Sequence, residues 1–182
     1  MAVFAALALP SSASAVELVN PDGTRAEPFQ TWAEKSHVSV DVGTVTFLRG
    51  VHNCGKWAGQ PGLEGCALTS ERRIAMRGYC WNTKSRILRR NCRFNAFHEL
   101  GHIDEANLDG VTRARFAEIV GVPNDWASAD PIGPAGRSYL KETYADGFAL
   151  CAIGKADIQT PGPFVSIAAS ENYREICRLI RR

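Results

Sequence analysis

Apolar and polar positions alternate along the chain near residue 40. Val38, Val40 and Val42 are separated by Ser39 and Asp41, the period of a half-buried strand. Gly43 shifts the phase and Val45 and Phe47 continue on the new one, which predicts a strand pair or one long bulged strand. Upstream, residues 16–36 are polar and read as irregular, with Pro21-Asp22-Gly23 as a turn. Downstream, Gly50, Gly55, Gly59, Gly62 and Gly65 predict a loop over 50–66. Residues 72–81 read as a further strand with Ile74 and Met76 on one face.

Beyond this point the period lengthens to that of helices. Asn91 can cap a helix over 91–108, with Gly110 just past its end and Phe94, Phe97, Ile103 and Ala106 as its packing candidates. A second helix is predicted over 112–120, stopped by Gly121 and Pro123, and 123–136 reads as a loop. Ser138 can cap a third helix over 138–153, ended by Gly154, and Pro161 and Pro163 break the chain again. A last helix from Ser170 sets Tyr173, Ile176, Cys177 and Ile180 at i, i+3, i+4 and i+7. The predicted class is α+β: a short N-terminal β-sheet followed by helices, with no internal repeat and no second domain over 16–182.

Composition adds a compartment. At 182 residues, 45% apolar and 22% charged, the chain has material for one domain with a real core. A net charge of +2 does not suggest a nucleic-acid partner. No stretch approaches the roughly 20 apolar residues of a membrane span, so no transmembrane segment is expected. Ala2 to Leu9 is apolar and Ala13-Ser14-Ala15 has the A-x-A form, so residues 1–15 read as a signal peptide cleaved near Ala15, although they lack a basic n-region. Six cysteines, an even number with no C-x-x-C pair, fit an oxidising, extracellular destination. The expected bridges join nearest neighbours: Cys54–Cys66, Cys80–Cys92 and Cys151–Cys177. The expected state is a secreted monomer.

The chemistry centres on Phe97-His98-Glu99-Leu100-Gly101-His102, which has the form H-E-x-x-H. On a helix the two imidazoles are about 40° apart round the axis and about 6 Å apart along it, so both can reach one metal ion. Glu99, at the edge of that face, is placed to act as a base on a metal-bound water. Two imidazoles, one carboxylate and one open position form a catalytic zinc arrangement, which predicts a Zn²⁺-dependent peptidase acting on a peptide or protein substrate.

The third ligand must come from downstream. Glu105 returns to the face of His98 but lies about 10 Å further along the axis, and three ligands in one row cannot surround an ion tetrahedrally. The metzincin pattern has a Gly and then a His where this chain has Glu105 and Leu108, which rules out that subclass. Glu142 and Asp146, four apart on the third helix, share a face and are the better candidates, and either of them can be the ligand.

Glu142-Thr143-Tyr144-Ala145-Asp146-Gly147-Phe148-Ala149 follows the H-E-L-G-H run by about forty residues. Together the two segments resemble those of small gluzincin-type peptidases, or minigluzincins. His98 to Asp104, Arg113-Ala114-Arg115-Phe116, Trp126 and the late Cys151 and Cys177 also resemble a group of small secreted actinobacterial proteins of peptidase type. The first ninety residues carry little of this. The resemblance implies a small zincin-like domain in which Glu142 completes the metal site. It also implies that Asp146 accepts a hydrogen bond from the far nitrogen of one histidine. Tyr139, three residues before Glu142, is a candidate donor to the transition-state oxyanion. Lys84, Arg86, Arg89, Arg90 and Arg93 form a basic run entering the zinc helix; it reads as a solvated face, with attraction of acidic substrates as the alternative. The strand over 72–81 is a candidate for holding an extended substrate by backbone pairing. The competing functional reading is a catalytically silent secreted module of the same fold that binds or supports without cutting.

Overall fold

A computed structural model describes residues 16–39, 42–126, 139–154 and 172–181. The expected leader (1–15), Val40, Asp41, Ser138, Pro161, Pro163 and Ser170 lie outside these residues. Within them the chain is α+β, with a four-stranded sheet, five helices and three disulfides. The strands are β1 (Glu17–Val19), β2 (Thr44–Arg49), β3 (Gly65–Leu68) and β4 (Arg73–Met76), in the spatial order β1-β2-β4-β3. β1, β2 and β4 run parallel, with Leu18 opposite Val45 and Phe47 opposite Ile74. β3 runs antiparallel to β4 and forms one edge, with Cys66 opposite Ala75.

The alternation of residues 45–47 sets the sheet's buried face. Val45, Phe47, Ile74 and Met76 are fully buried and point toward the helices. Removing a side chain the size of Phe47 from water contributes roughly 1.5–3 kcal/mol. Ala75 and Cys66 face the other way, where Cys54 and Leu63 of the glycine-rich loop cover them in a smaller cluster. The Cys54–Cys66 bridge fastens that loop to the edge strand.

Helix α1 (Phe29–Glu34) docks Phe29 on Phe47, ring centroids 4.3 Å apart, and against Trp81 at 4.8 Å. Helix α2 (Arg86–Ala106) lies on the sheet, and α4 (Tyr139–Ile153) packs along it. Every residue of α4 from Thr143 to Ile153 is buried, so it is a core helix and not an amphipathic surface one. α3 (Gly110–Val120) and α5 (Tyr173–Ile180) close the assembly, with Ile176, Cys177 and Ile180 buried as their spacing predicts.

Several predicted elements shift. Residues 16–36 contain β1 and α1, where the sequence reads as irregular. The strand expected from Val38 is described only over Thr44–Arg49. Val38 and Val42 are buried all the same, because the segment docks on the end of α4, where the His37 N–H donates to the Ala152 carbonyl at 3.0 Å. The loop over 50–66 ends in β3, and β4 is only four residues long, followed by a 3-10 turn at Gly78–Trp81. Asn91 is not a cap. The helix starts six residues earlier, where the Ser85 hydroxyl accepts the Leu88 N–H at 3.4 Å. Gly110 does not end α2 but begins α3, capped by Asp109, whose carboxylate accepts the Thr112 N–H at 2.6 Å. Ala106 is exposed, so it does not pack the helix.

The three bridges are Cys54–Cys66, Cys80–Cys92 and Cys151–Cys177, and among the described residues no cysteine is free. Two of them each hold one of the long helices: Cys80–Cys92 ties α2 to the turn after β4, and Cys151–Cys177 ties α4 to α5. Replacing Cys80 and Cys92 together by Ser is expected to lower the unfolding free energy by about 3 kcal/mol in a denaturant titration. An unchanged midpoint would show that the bridge adds nothing to the fold.

Candidate metal centre

His98 and His102 sit one turn apart in the middle of α2, and their Nε2 atoms converge to 3.1 Å. The rings are almost perpendicular, at 88°. Two imidazole nitrogens aimed at each other this closely need a shared proton or a shared cation. The other nitrogen of His98, Nδ1, lies 2.7 Å from Asp146 Oδ1. With Asp146 accepting that proton, Nε2 carries the lone pair that a cation takes.

Glu142 faces the same point from α4. Its Oε2 is 3.4 Å from His98 Nε2 and its Oε1 is 3.6 Å from His102 Nε2. One carboxylate thus spans both imidazoles. Glu99 completes the cluster from α2: nitrogen and carboxylate atoms of His98, Glu99 and His102 all lie within 4.8 Å of one another. Glu99 is buried, with 6% of its surface exposed. The chain therefore brings together a His-Glu-His group that could hold a metal ion, with a second carboxylate closing on it.

Electrostatics agree with the geometry. Burial pulls the His98 pKa down, but hydrogen bonds to Asp146 and then Glu142, with the nearby charge of Glu99, outweigh it, and the pKa is pushed up to about 10. The carboxylates surround this spot with more negative charge than one imidazolium neutralises. A divalent cation would resolve that imbalance in place of the proton.

The close approach of the two helices depends on small residues. A Cβ added to Gly101 would meet the Ala145 Cα at 2.8 Å, the Phe148 Cβ at 3.0 Å and the Ala145 carbonyl oxygen at 3.1 Å. The helices therefore touch backbone to backbone between the two histidines. One turn on, the Tyr144 hydroxyl donates to Asp104 at 2.5 Å and fixes the pitch of α4 against α2. On the sheet side, a Cβ on Gly65 would lie 3.4 Å from Glu99 Cγ, so β3 also passes close to the site.

The sequence names His98, Glu99, His102, Glu142 and Asp146, and all five meet here. Asp146 bonds His98 through the nitrogen that faces away from the cluster, whereas Glu142 faces the Nε2 atoms of both histidines. Tyr139 is the first residue of α4, and its side chain lies outside the described set. Glu105 is buried away from the cluster against Arg113, at 3.2 Å, and its burial raises its pKa. Gly101, Ala145, Tyr144 and Gly65 do not emerge as site residues from the sequence. The signal for the first two was present: a Gly between the histidines, and Ala145 and Ala149 four apart on the facing helix. Comparisons with known proteins find no matching family model, no similar curated protein and no similar solved structure.

In an exposed helix Gly→Ala gains about 1 kcal/mol. Gly101→Ala is expected to do the reverse, because the new methyl forces α4 away from α2: thermal stability and metal affinity should fall together. A variant more stable than the parent would show that the helices are not held in contact there. Asp146→Ala is expected to weaken metal binding by about 10–100-fold in a competition titration while leaving one ion per chain. Unchanged affinity would remove Asp146 from the site.

Proposed function

We propose that this chain is a secreted zinc-dependent peptidase of the small gluzincin type, with a zincin-like arrangement of edge strand and two ligand-bearing helices. The observation that carries the reading is the shape of the donor set. Zinc held by four ligands at about 2.0–2.1 Å requires donors about 3.3 Å apart. The two Nε2 atoms of His98 and His102 are 3.1 Å apart, and the Glu142 carboxylate sets one oxygen 3.4 Å from the first and its other oxygen 3.6 Å from the second. Two nitrogens and one oxygen also leave one position open, as catalytic sites do and structural sites do not.

Zinc bound there supplies a Lewis acid and lowers the pKa of a bound water to about 7. Glu99 is one residue along from a ligand, buried, and close to both imidazoles. It takes the proton from the attacking water and passes it to the leaving nitrogen. Asp146 keeps His98 in the tautomer that points its lone pair inward.

An extended substrate fits the open edge of the sheet. The sequence places this role on residues 72–81, but β4 is paired on both sides and has no free edge. β3 is paired on one side only among the described residues, and it passes beside Glu99. Its backbone is the one placed to pair with a peptide. Three disulfides fit an extracellular protein, and no helix among the described residues is long and apolar enough to cross a membrane.

Glu99→Gln is expected to keep one zinc per chain and to lose at least about 10³-fold in kcat on a peptide substrate, whereas Glu142→Ala and His98→Ala lose zinc. Zinc retained at full affinity in Glu142→Ala would overturn the ligand assignment. Full activity in Glu99→Gln would overturn the mechanism, and an inactive, zinc-loaded wild type would favour the silent binding module.

A further inference from the structure

β1 and β2 lie side by side and parallel, yet the chain leaves them toward opposite faces of the sheet. After β1, a turn closes with the Asn20 N–H donating to the Thr24 carbonyl at 2.7 Å, and Gly23 supplies a positive φ of 80°. The chain then runs to α1, which packs on the helix-covered face through Phe29 on Phe47. After β2, Gly50 turns the chain with a φ of 105°, and its N–H donates to the Met76 carbonyl at 2.7 Å. That path leads to Val51 and Cys54, which cover the other face together with Leu48. Adjacent parallel strands whose exits diverge leave a crevice between them, and open sheets bind ligands in such crevices at the carboxyl ends of their strands.

The crevice is present as a cavity of about 550 Å³, within the range of small-molecule sites. Phe47 and Leu48, which point to opposite faces, both line it, so it sits across the end of β2. Asp22 from the first exit and Arg49 at the end of β2 supply its charges, and the half-buried Trp81 supplies an aromatic wall.

The two charges are complementary and unpaired. Arg49 forms no ion pair among the described residues; its stem passes over Gly78, where a Cβ would lie 3.6 Å from Nε. Asp22 places Oδ1 on the Thr24 N–H at 3.0 Å and on the Thr24 hydroxyl at 2.6 Å, which holds its pKa below the usual carboxylate value. No cation pairs with it among the described residues, so the two side chains line one cavity without reaching each other. The metal centre does not account for this cavity, since none of its residues line it. Arg49 is opposite Met76 on β4, and Met76 is opposite Gly65 on β3. Two strand spacings, about 10 Å, thus separate Arg49 from the strand that passes beside Glu99.

We propose that this crevice binds zwitterionic amino acids with a large apolar side chain, Arg49 taking the carboxylate, Asp22 the ammonium group and Trp81 the side chain. A lone anion would be repelled by Asp22 and a lone cation by Arg49, so a ligand carrying both charges fits best. Binding here is independent of what the metal centre does; on the peptidase reading, the ligand is of the class that cleavage releases.

The test titrates the isotope-labelled, disulfide-bonded, zinc-loaded protein with L-phenylalanine, phenylpropionate and phenylethylamine, which share one ring and differ in charge. L-Phenylalanine is expected to bind at least about tenfold tighter than either analogue, because each analogue lacks one charge-assisted hydrogen bond. The amide signals of Asn20, Asp22, Arg49 and Asn53 and the indole N–H signal of Trp81 should move, while those of His98 and Glu99 stay in place. Arg49→Ala should reduce L-phenylalanine to the affinity of the amine, and Asp22→Asn should reduce it to that of the acid. Arg49 and Asp22 are both exposed, so the variants should melt with the parent. Equal affinity for the three ligands, parental affinity in both variants, or signal changes centred on His98 and His102 would overturn the site. Absence of saturable binding by L-phenylalanine at millimolar concentrations would overturn it as well.

Discussion

Gly101 lets the backbone of α2 rest on the backbone of α4 at Ala145, and the meeting of His98, His102, Glu142 and Asp146 depends on that contact. A carboxylate side chain is short, so Glu142 can span both imidazoles only when its helix axis comes this near. Asp146 depends on the same contact, one turn along the same helix. The Tyr144–Asp104 bond then stops α4 from sliding along α2. Leu100, Phe97 and Ile103 anchor α2 in the hydrophobic core.

Gathering the site's side chains carries a desolvation cost that a bound cation would offset. Glu99 and Asp146 are buried, and Glu142 and the two histidines are mostly so. Collecting such groups costs desolvation energy that a lone imidazolium does not recover. The framework supplies what the site lacks. The sheet's apolar face, the Phe29–Phe47 stack and the all-buried α4 provide the core. Disulfides at Cys92 and Cys151 fix one point on each of the two site-bearing helices. A domain of this size could fold without bridges; placing two of them on these helices suggests that holding the helices in register matters beyond stability alone.

What the sequence reveals and what it hides divide along physical lines. H-E-x-x-H is legible because one helical turn already dictates its geometry; the spacing of Glu142 and Asp146 puts them on one face, and their separate roles come only from the resemblance to small gluzincin-type peptidases. The class, α+β, is legible from the change of period near residue 80. The start of α2 is hidden because Arg86 to Arg90 lack an apolar period: that part of the helix is solvated, so no core face marks it. β1 and α1 are hidden for the opposite reason. Each is very short, and they are held by tertiary contacts such as the Gln30 side chain accepting the Leu18 N–H at 2.6 Å. The edge strand β3 is disguised by glycines. Gly65 serves close approach to Glu99 there, and the two-residue period it interrupts is too brief to register. Gly101 carries its meaning only once α4 is in place.

Zinc K-edge X-ray absorption on the loaded protein tests the central claim most directly, because it reads the ligand atoms without assuming any reaction. The account expects two imidazole nitrogens and light-atom oxygen ligands at about 2.0–2.1 Å, with one metal per chain. In Glu142→Ala the same spectrum should lose a light-atom ligand while both imidazole signatures persist in whatever zinc remains. A sulfur shell at about 2.3 Å, or a single imidazole, would contradict the two-helix site.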